Sequence, residues 1–237
     1  MSWIQTGHIS ATHGFSTRHG GVSPAPYGSL NLGGTDDLPE NIAENRKRAL
    51  SDLGISFHQV SYLNQIHSNH VCRGVAGKQT GDALVTNEPG LALAVGAADC
   101  YPVLLHDEKN KVIGAAHCGW KGTLGRIVKN TIEEMAALGA EKQHIKIAIG
   151  QGICAANYEV SEEVIARFRE AGFPADCWQG RQLDLLKANQ FVAMESGIPQ
   201  SHIWSMNRCT TEADFFSYRR DKGKTGRMWA VIMIKTI

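Results

Sequence analysis

The stretch LALAVGAADCYPVLLHDEKNKVIGAAHCGW, residues 91–120, carries the clearest information about the fold. It contains three apolar runs, at residues 91–95, 102–106 and 112–116, and each has the length of one strand. Short apolar runs that include β-branched residues are typical of strands whose two faces are both covered. We therefore expect three strands in the interior of a sheet.

Further elements follow on both sides of this stretch. Two more runs of the same kind occupy residues 145–149 and 228–234. Apolar residues at helical spacing predict amphipathic helices at residues 39–53, 124–138 and 162–173. Gly54 and Gly139 stand where C-terminal caps belong. Because strands and helices interleave without strict alternation, the pattern favours an α+β architecture over a doubly wound parallel sheet.

The chain shows no repeat, low-complexity tract or linker-like segment. We therefore expect residues 1–237 to form a single domain. Residues 14–34 are too rich in Gly, Pro and Ser for a helix and predict a long ordered loop. Loops of that length inside a domain are often functional.

The charge of the chain limits its partners. Its 237 residues carry a formal net charge of +1. Proteins that bind nucleic acids or anionic membranes usually have a concentrated basic excess, so neither partner is expected. Recognition of an anion must instead be local. The sequence leaves the oligomeric state open, with a monomer among the options.

The expected location is the cytoplasm. The first residues have neither a basic nor an apolar segment typical of a signal peptide, and no later stretch approaches the ~20 apolar residues that a membrane span needs. The six cysteines are scattered through a chain long enough to fold without disulfides. We therefore expect reduced thiols that are available to a metal or to chemistry.

Three potential metal ligands end or follow apolar segments: His67, Cys100 and His117. Their wide separation differs from the paired spacing of structural zinc sites and suits a three-ligand site with one open position. Each of them singly is also compatible with a packed core residue. A second functional interpretation pairs Cys100 with His117 as nucleophile and base, because an imidazole beside a thiol lowers its pKa.

Two features indicate local anion recognition. Arg46 lies on the apolar face of the predicted helix 39–53, and its guanidinium must find either a carboxylate or a substrate phosphate. Residues 219–227 contain five cations, which indicates an anion site or a solvated turn. The Gly223-Lys224-Thr225 string lacks the earlier glycine and the following helix of a P-loop, so we reject that interpretation.

Taken together, ordered motifs along nearly the whole chain resemble the YfiH-like family, whose members are described as multicopper polyphenol oxidases (laccases) and as purine nucleoside phosphorylases with adenosine deaminase activity. The motifs are Phe15-Ser16-Thr17-Arg18, Gly20-Gly21-Val22-Ser23, Ser29-Leu30-Asn31-Leu32-Gly33, Asn45-Arg46, Gln65-Ile66-His67, Asp82-Ala83-Leu84-Val85-Thr86, Ala98-Asp99-Cys100 followed by Pro102-Val103, His117-x-Gly119-Trp120, Tyr158-Glu159-Val160 and Phe216-Ser217-Tyr218-Arg219-Arg220.

The resemblance implies an α+β fold with mixed β-sheets and flanking helices. It implies zinc held by the residues at the three ligand positions and a pocket lined by Arg18, Asn31 and Arg46. The implied reactions are cleavage of adenosine, inosine and S-methyl-5'-thioadenosine with phosphate, and deamination of adenosine. Cys118, Lys121 and Gln151 depart from the usual Ala, Arg and Pro. Lys121 keeps a positive charge that can bind phosphate, and Cys118 is expected to pack, since successive strand residues face opposite ways.

The resulting hypothesis is a zinc enzyme acting on small-molecule nucleosides and phosphate. His67, Cys100 and His117 serve as ligands and catalytic residues, and Asp99 is a candidate general acid or base, a positioning residue or a turn cap. Three alternatives remain. They are a copper-dependent polyphenol oxidase, for which ten histidines leave no margin once a blue-copper site and an oxygen-reducing cluster are counted, a Cys-His thiol hydrolase or amidase on a cell-wall precursor, and a non-enzymatic interaction module stapled by zinc.

Overall fold

The computed structural model describes residues 2–236, and within them most strands form two mixed six-stranded sheets. The strands are β1 (Trp3–Ile4), β2 (Thr12–Ser16), β3 (Val60–Asn64), β4 (Val71–Arg73), β5 (Gly77–Thr80), β6 (Ala83–Thr86), β7 (Ala92–Ala97), β8 (Tyr101–Asp107), β9 (Val112–Cys118), β10 (Ile145–Ile149), β11 (Trp178–Gln179), β12 (Gln182–Leu183), β13 (Ile203–Ser205) and β14 (Met228–Met233). The helices are α1 (Pro39–Asp52), α2 (Trp120–Leu124), α3 (Ile127–Ala136), α4 (Glu162–Glu170) and α5 (Leu185–Glu195).

The first sheet has the strand order β1-β2-β14-β7-β3-β5, and the second has the order β13-β10-β8-β9-β6-β4. Both contain parallel and antiparallel pairs: β3 is parallel to β7, whereas β14 is antiparallel to β7, and β8 is antiparallel to β9, whereas β4 is parallel to β6. Strands β11 and β12 form a separate pair. The expected α+β fold with mixed sheets and flanking helices is confirmed.

The two sheets pack face to face, and helices cover their outer faces. Within β8, Leu104 packs between the sheets, whereas Val103 and Leu105 face a second core formed with α3, α4 and α5. Helix α1 packs Ala49 and Leu50 on the outer face of the first sheet. Because side chains alternate along a strand and both faces are covered, β8 and β9 are buried throughout.

The apolar runs predict the strands well. Residues 145–149 match β10 without a shift, and the other four runs correspond to β7, β8, β9 and β14 within two residues at each end. The helix expected at 39–53 is α1, with Gly54 in the left-handed region just after it. Helix α4 ends at Glu170 rather than at residue 173, because the chain turns through Gly172 at a φ of 74°.

One expectation is wrong, and two elements begin later than expected. The helix predicted at 124–138 corresponds to α3, which begins at Ile127, because Arg126 adopts a left-handed φ of 60° that no α-helix can continue through; Leu124 ends the preceding helix α2. The loop predicted at 14–34 has neither helix nor strand from residue 17 onward, but residues 14–16 belong to β2, where Phe15 pairs with Ala230 of β14. Cys154 and Cys209 are joined as a disulfide, because folding brings their Cα atoms to 5.1 Å, a proximity that spacing along the chain does not reveal.

The remaining cysteines, Cys72, Cys100, Cys118 and Cys177, are free thiols. Cys118 has no exposed surface and packs in the core beside α3, so its expected packing role is confirmed. Within residues 2–236, no helix combines the length and the apolar character that crossing a lipid bilayer requires.

Candidate active site

Strand pairing brings the predicted ligands to one end of the two sheets. In the β8–β9 hairpin, Tyr101 pairs with Cys118 and Pro102 with His117, so Cys100 lies beside the end of β9. Strand β3 runs parallel to β7, and His67 follows β3 at the end where β7 leads towards Cys100. The register of three strands therefore places His67, Cys100 and His117 together.

These three side chains form the one group of metal-ligating donors found in the described part of the chain. One donor atom from each lies within 4.8 Å of the others. The rings of His67 and His117 are 5.0 Å apart and meet edge to face, at 80°. Two imidazoles and one thiolate suit zinc and also copper. The donor set therefore fits a metal ion and leaves its identity open.

The backbone next to the ligands leaves room for them. A Cβ atom on Gly119 would lie 3.0 Å from Cys100 Sγ and 3.2 Å from His67 Cδ2. Both distances are tighter than ordinary contacts, so a side chain at this position would press on two of the three donors. Glycine at residue 119 is therefore needed for the close approach of His67 and Cys100.

Asp82 holds two of the three ligands in place. Its side chain has no exposed surface. It accepts hydrogen bonds from the backbone N–H groups of Ile66, His67 and Ser68, at 3.3, 3.1 and 2.6 Å, and from the Ser68 hydroxyl at 2.7 Å. It also accepts one from His117 Nδ1 at 3.0 Å. One carboxylate thus fixes the turn that carries His67 and the ring of His117.

The charge of Asp82 sets the tautomer of His117. Burial alone would raise the pKa of Asp82, but the hydrogen bonds from His117 and Ser68 outweigh it and lower that pKa to about 2. An ionised carboxylate can only accept hydrogen bonds, so His117 Nδ1 carries the proton. The other ring nitrogen, Nε2, is then left for a metal or for Cys100.

Cys100 and His117 favour opposite charges. Burial would raise the pKa of Cys100, but the charge of His117 and hydrogen bonds from His117 and His67 lower it to about 6. Burial would lower the pKa of His117, yet the Cys100 charge and the Asp82 hydrogen bond raise it to about 9. The thiolate is therefore favoured near neutral pH, which suits both a metal ligand and a nucleophile.

The group opens into a cavity with a volume of about 780 Å³. Of the described residues that line it, four carry a cationic side chain and one carries a carboxylate: Arg46, Lys78, Arg219, Arg227 and Asp99. Five aromatic residues also line it: Tyr62, Trp120, Tyr158, Tyr218 and Trp229. This size is typical of small-molecule sites, and the lining suits a ligand that has both an anionic group and a flat ring.

The family model for the multi-copper polyphenol oxidoreductase laccase family matches residues 12–235. The chain belongs to this family. A purine nucleoside phosphorylase of Deinococcus radiodurans is 49% identical over 235 residues, covering 97% of this chain and 91% of that protein. The crystal structure of YlmD from Geobacillus stearothermophilus has a TM-score of 0.93 and 30% identity, with 100% of this chain and 97% of the other covered. Bacillus licheniformis YfiH has a TM-score of 0.89 and 31% identity, with 94% and 92% covered.

Within this laccase-domain fold, the site residues predicted from the sequence fall into two groups. The cavity lining includes the three ligands, Asp99 and Arg46. Arg18, Asn31 and Lys121 are not part of the described lining. Arg18 donates to Gly28 O at 2.8 Å and lies over the Phe216 ring, and Lys121 is exposed beside Trp120. Their roles in substrate binding stay predictions.

The Asp99 carboxylate is held by hydrogen bonds from neighbouring residues. Its carboxylate accepts hydrogen bonds from the Thr210 hydroxyl at 2.6 Å and from the backbone N–H of Arg219 at 2.7 Å. It adopts a φ of 91°, which is uncommon for a residue other than glycine. Because both oxygens are used, the contacts favour a positioning role for Asp99, and its proposed acid–base role stays a prediction.

Sequence reasoning missed Asp82, Arg219 and Arg227. Asp82 was part of a motif quoted for the family resemblance, but nothing in its spacing linked it to His117, 35 residues away. The run of five cations signalled Arg219 and Arg227, although not which of its members face the cavity. Arg220 does not, because it pairs with Asp221 and donates to the backbone carbonyls of Thr210, Thr211, Glu212 and Phe215.

Proposed function

We propose that the protein is a zinc-dependent purine nucleoside phosphorylase. The proposed reaction cleaves adenosine, inosine and S-methyl-5'-thioadenosine with phosphate, giving free base and ribose 1-phosphate or its methylthio analogue. A phosphate oxygen attacks the anomeric carbon of the ribose, the bond from that carbon to the purine nitrogen breaks with its electron pair on the base, and the base takes up the proton that the hydrogen phosphate loses. A second proposed reaction replaces the 6-amino group of adenosine with oxygen from water and releases ammonia.

One observation carries this proposal: a three-donor metal group opens into a cavity whose lining is cationic and aromatic. A purine ring can stack on the aromatic side chains, and phosphate is attracted by the guanidinium groups. The name of the Deinococcus radiodurans relative, purine nucleoside phosphorylase, supports the same substrate class.

The chain's own residues prepare the site. His67, Cys100 and His117 would hold the metal, and when bound it supplies a Lewis acid beside the reacting groups. Asp82 keeps the proton of His117 on Nδ1 and the turn at residues 66–68 in one conformation. The cationic side chains bind phosphate and reduce its repulsion from other negative groups.

Gln65 lines the cavity next to His67. Its side-chain amide accepts from Gly96 N at 2.7 Å and donates to Gly96 O at 2.8 Å. These two bonds join the segment that carries His67 to β7. The position of the His67 turn relative to β7 and the aromatic residues of the cavity lining is thereby fixed before any ligand binds. A catalytic site needs this preorganisation.

The metal-donor residues help to distinguish the proposed phosphorylase from a multicopper oxidase and a thiol hydrolase. A multicopper oxidase needs about eight further imidazoles for its oxygen-reducing cluster, whereas the described residues contain the one three-donor group. The lowered pKa of Cys100 and the adjacent His117 favour the thiol hydrolase as the second candidate. The two chemistries use the same atoms, so metal dependence separates them.

The decisive experiment measures activity against metal content. Protein treated with a chelator is divided and reloaded with zinc, with copper or with buffer alone. Release of free base from inosine is followed with and without phosphate, and release of ammonia from adenosine is followed in parallel. We expect base release only when zinc and phosphate are both present. Metal-independent turnover, or oxidation of phenols only in the copper-loaded form, would contradict the proposal.

A further inference from the structure

Residues 31–34 connect two guanidinium groups that line the cavity. The backbone carbonyl of Leu32 accepts a hydrogen bond from Arg46 Nε at 2.8 Å. The backbone N–H of the same residue donates to Arg227 O at 2.9 Å. Arg46 comes from α1 and Arg227 immediately precedes β14. A single short segment therefore contacts two cations from distant parts of the chain and helps to set their separation.

Asn31 holds this segment in place through four side-chain hydrogen bonds. It has no exposed surface, and its Oδ1 accepts hydrogen bonds from Arg227 N at 2.9 Å and from Gly33 N at 3.2 Å. Its Nδ2 donates to Thr35 Oγ1 at 2.7 Å and to Asp37 Oδ2 at 2.9 Å. Both Nδ2 protons and both lone pairs of Oδ1 are used. Asn31 thus positions the backbone of Arg227.

The two glycines of the segment permit the approach of both arginines. A Cβ atom on Gly33 would overlap Arg46 Nη2, and Gly33 has a φ of 131° that other residues rarely adopt. A Cβ atom on Gly34 would only touch Arg227 Cγ, at 3.6 Å. The guanidinium of Arg46 is therefore packed directly against the backbone of Gly33.

Neither guanidinium is neutralised by a carboxylate. Arg46 lies over the rings of Phe57, Tyr62 and Trp229, at 5.2, 5.1 and 4.8 Å from their centres. Arg227 Nη1 donates to the carbonyls of Thr225 and Gly226, each at 3.0 Å. For residues 2–236, no ion pair within 4.0 Å joins either side chain to Asp or Glu. Arg48 on the same helix, by contrast, pairs with Glu44 at 2.6 Å.

Burial makes these charges costly in the absence of a ligand. Burial lowers the pKa of both Arg46 and Arg227, and for Arg227 the negative charge of Cys100 is the largest opposing effect. A guanidinium nevertheless stays protonated in proteins, so the positive charge persists. Two cations that are partly removed from water, line the same cavity and lack a carboxylate partner create a strong preference for an anion in that cavity.

We propose that Arg46 and Arg227, set by residues 31–34, form the binding site for the phosphate co-substrate. This inference rests on the proposed phosphorylase function and adds the residues that take its anion. The planar donors of a guanidinium match the oxygens of phosphate, and two of them can bind a dianion from two sides. The aromatic rings beside Arg46 hold its guanidinium in the cavity lining through cation–π contacts.

The test measures binding of inorganic phosphate to the zinc-loaded protein by calorimetry. The site variants are Arg46→Met and Arg227→Met. Their matched controls are Arg48→Met, on the same helix, and Lys224→Met, an exposed residue three positions before Arg227. We expect each site variant to bind phosphate about 10- to 100-fold more weakly, the range for losing charge-assisted hydrogen bonds, and each control to bind within about twofold of wild type.

A second pair of variants covers the case in which a methionine variant does not fold. Arg46→Lys and Arg227→Lys keep the charge and most of the stem but lose the planar donors, so we still expect roughly tenfold weaker binding. Circular dichroism and urea unfolding report whether each variant is folded. Folded site variants that bind phosphate as well as wild type would overturn the site.

Further readouts separate this site from the proposed function. Ribose 1-phosphate is titrated as a second probe, and binding of that probe alone would overturn the assignment to free phosphate. Phosphate-dependent base release with an unchanged KM for phosphate in both variants would overturn the site and leave the phosphorylase function. Phosphate binding that the variants lose, in a wild-type protein that cleaves no nucleoside, would overturn the function and leave the site.

Discussion

Replacing Asp82 by Asn tests how the ligands are held. The change keeps the size of the side chain but turns one acceptor oxygen into an NH₂ donor. Oδ1 accepts from His67 N and His117 Nδ1, and Oδ2 accepts from Ile66 N, Ser68 N and the Ser68 hydroxyl. In either orientation of the amide, at least two of these donors then face another donor. Where the NH₂ group faces His117, the imidazole can restore its bond only by moving its proton from Nδ1 to Nε2.

The expected magnitude follows from the charge and the hydrogen bonds. A pKa of about 2 for Asp82, against the ordinary 3.8, corresponds to about 2 kcal/mol of stability. Because this pKa is lowered by folding, the contribution is present above about pH 4 and is lost as the pH falls through about 2. Adding the unsatisfied donors, we expect the unfolding free energy of the metal-free protein to fall by about 2–4 kcal/mol at pH 7.

The same change should weaken zinc binding by about 10- to 100-fold, because it disturbs the residues that orient two ligands. Zinc affinity is measured by competition with a chromophoric chelator, and stability by urea unfolding without metal. Asp107→Asn is the matched control. Asp107 is also fully buried and accepts hydrogen bonds from Asn110 and Glu141, but it lies at the opposite end of the β8–β9 hairpin. Equal zinc affinities for the two variants would refute the reasoning.

Three further predictions concern the thiol and the loop. Cys100→Ala should remove most bound zinc and most base release, because a thiolate is the strongest of the three donors; stoichiometric zinc in the purified variant would contradict this. Iodoacetamide should label Cys100 slowly in the zinc-loaded protein and faster after chelation, as followed by peptide mass spectrometry, and rapid labelling with chelator-resistant turnover would favour the hydrolase. Burial would raise the pKa of Asp37, but hydrogen bonds from Ser23, Asn31 and Asn41 and from Leu38 N lower it below 3.8. The stability advantage of wild type over Asp37→Asn should therefore exist at pH 7 and disappear as the pH falls below about 4 in urea-unfolding series; a constant advantage down to pH 2 would show that it does not come from the charge.

The strands were predictable because a buried strand has an apolar local sequence. Strands β7, β8 and β9 are covered on both faces, so they are apolar at nearly every position. A short apolar run of this kind has few structural interpretations other than a buried strand. The break between α2 and α3 was not predictable in the same way. The apolar periodicity continues through Gly125 and Arg126, and the left-handed φ of Arg126 is a conformation that the side-chain pattern does not encode.

The site was predictable where the residue type itself indicates the chemistry and, for Arg46, where a cation falls on the apolar face of a helix. His67, Cys100 and His117 stand out because imidazoles and thiols are metal donors wherever they occur. Asp82 and Arg227 are ordinary charged residues in the sequence, and nothing local distinguishes Arg227 from Arg220 or from the nearby lysines. What distinguishes Arg227 is its tertiary surroundings: Asn31 holds its backbone, and no carboxylate of the described chain pairs with its guanidinium.

The metal group and the proposed anion site depend on one crossing between the sheets. Strand β7 belongs to the first sheet and β8 to the second, so residues 98–100 carry the chain from one to the other. In the first sheet, β7 ends at this crossing, β3 ends shortly before His67, and β14 begins immediately after Arg227. His117, in contrast, lies in β9 of the second sheet. Asp99, in the middle of the crossing, fixes the Arg219 backbone. The metal group and Arg227 therefore lie beside this crossing, and the distance that a substrate spanning both sites must match depends on how the two sheets pack as well as on residues 31–34.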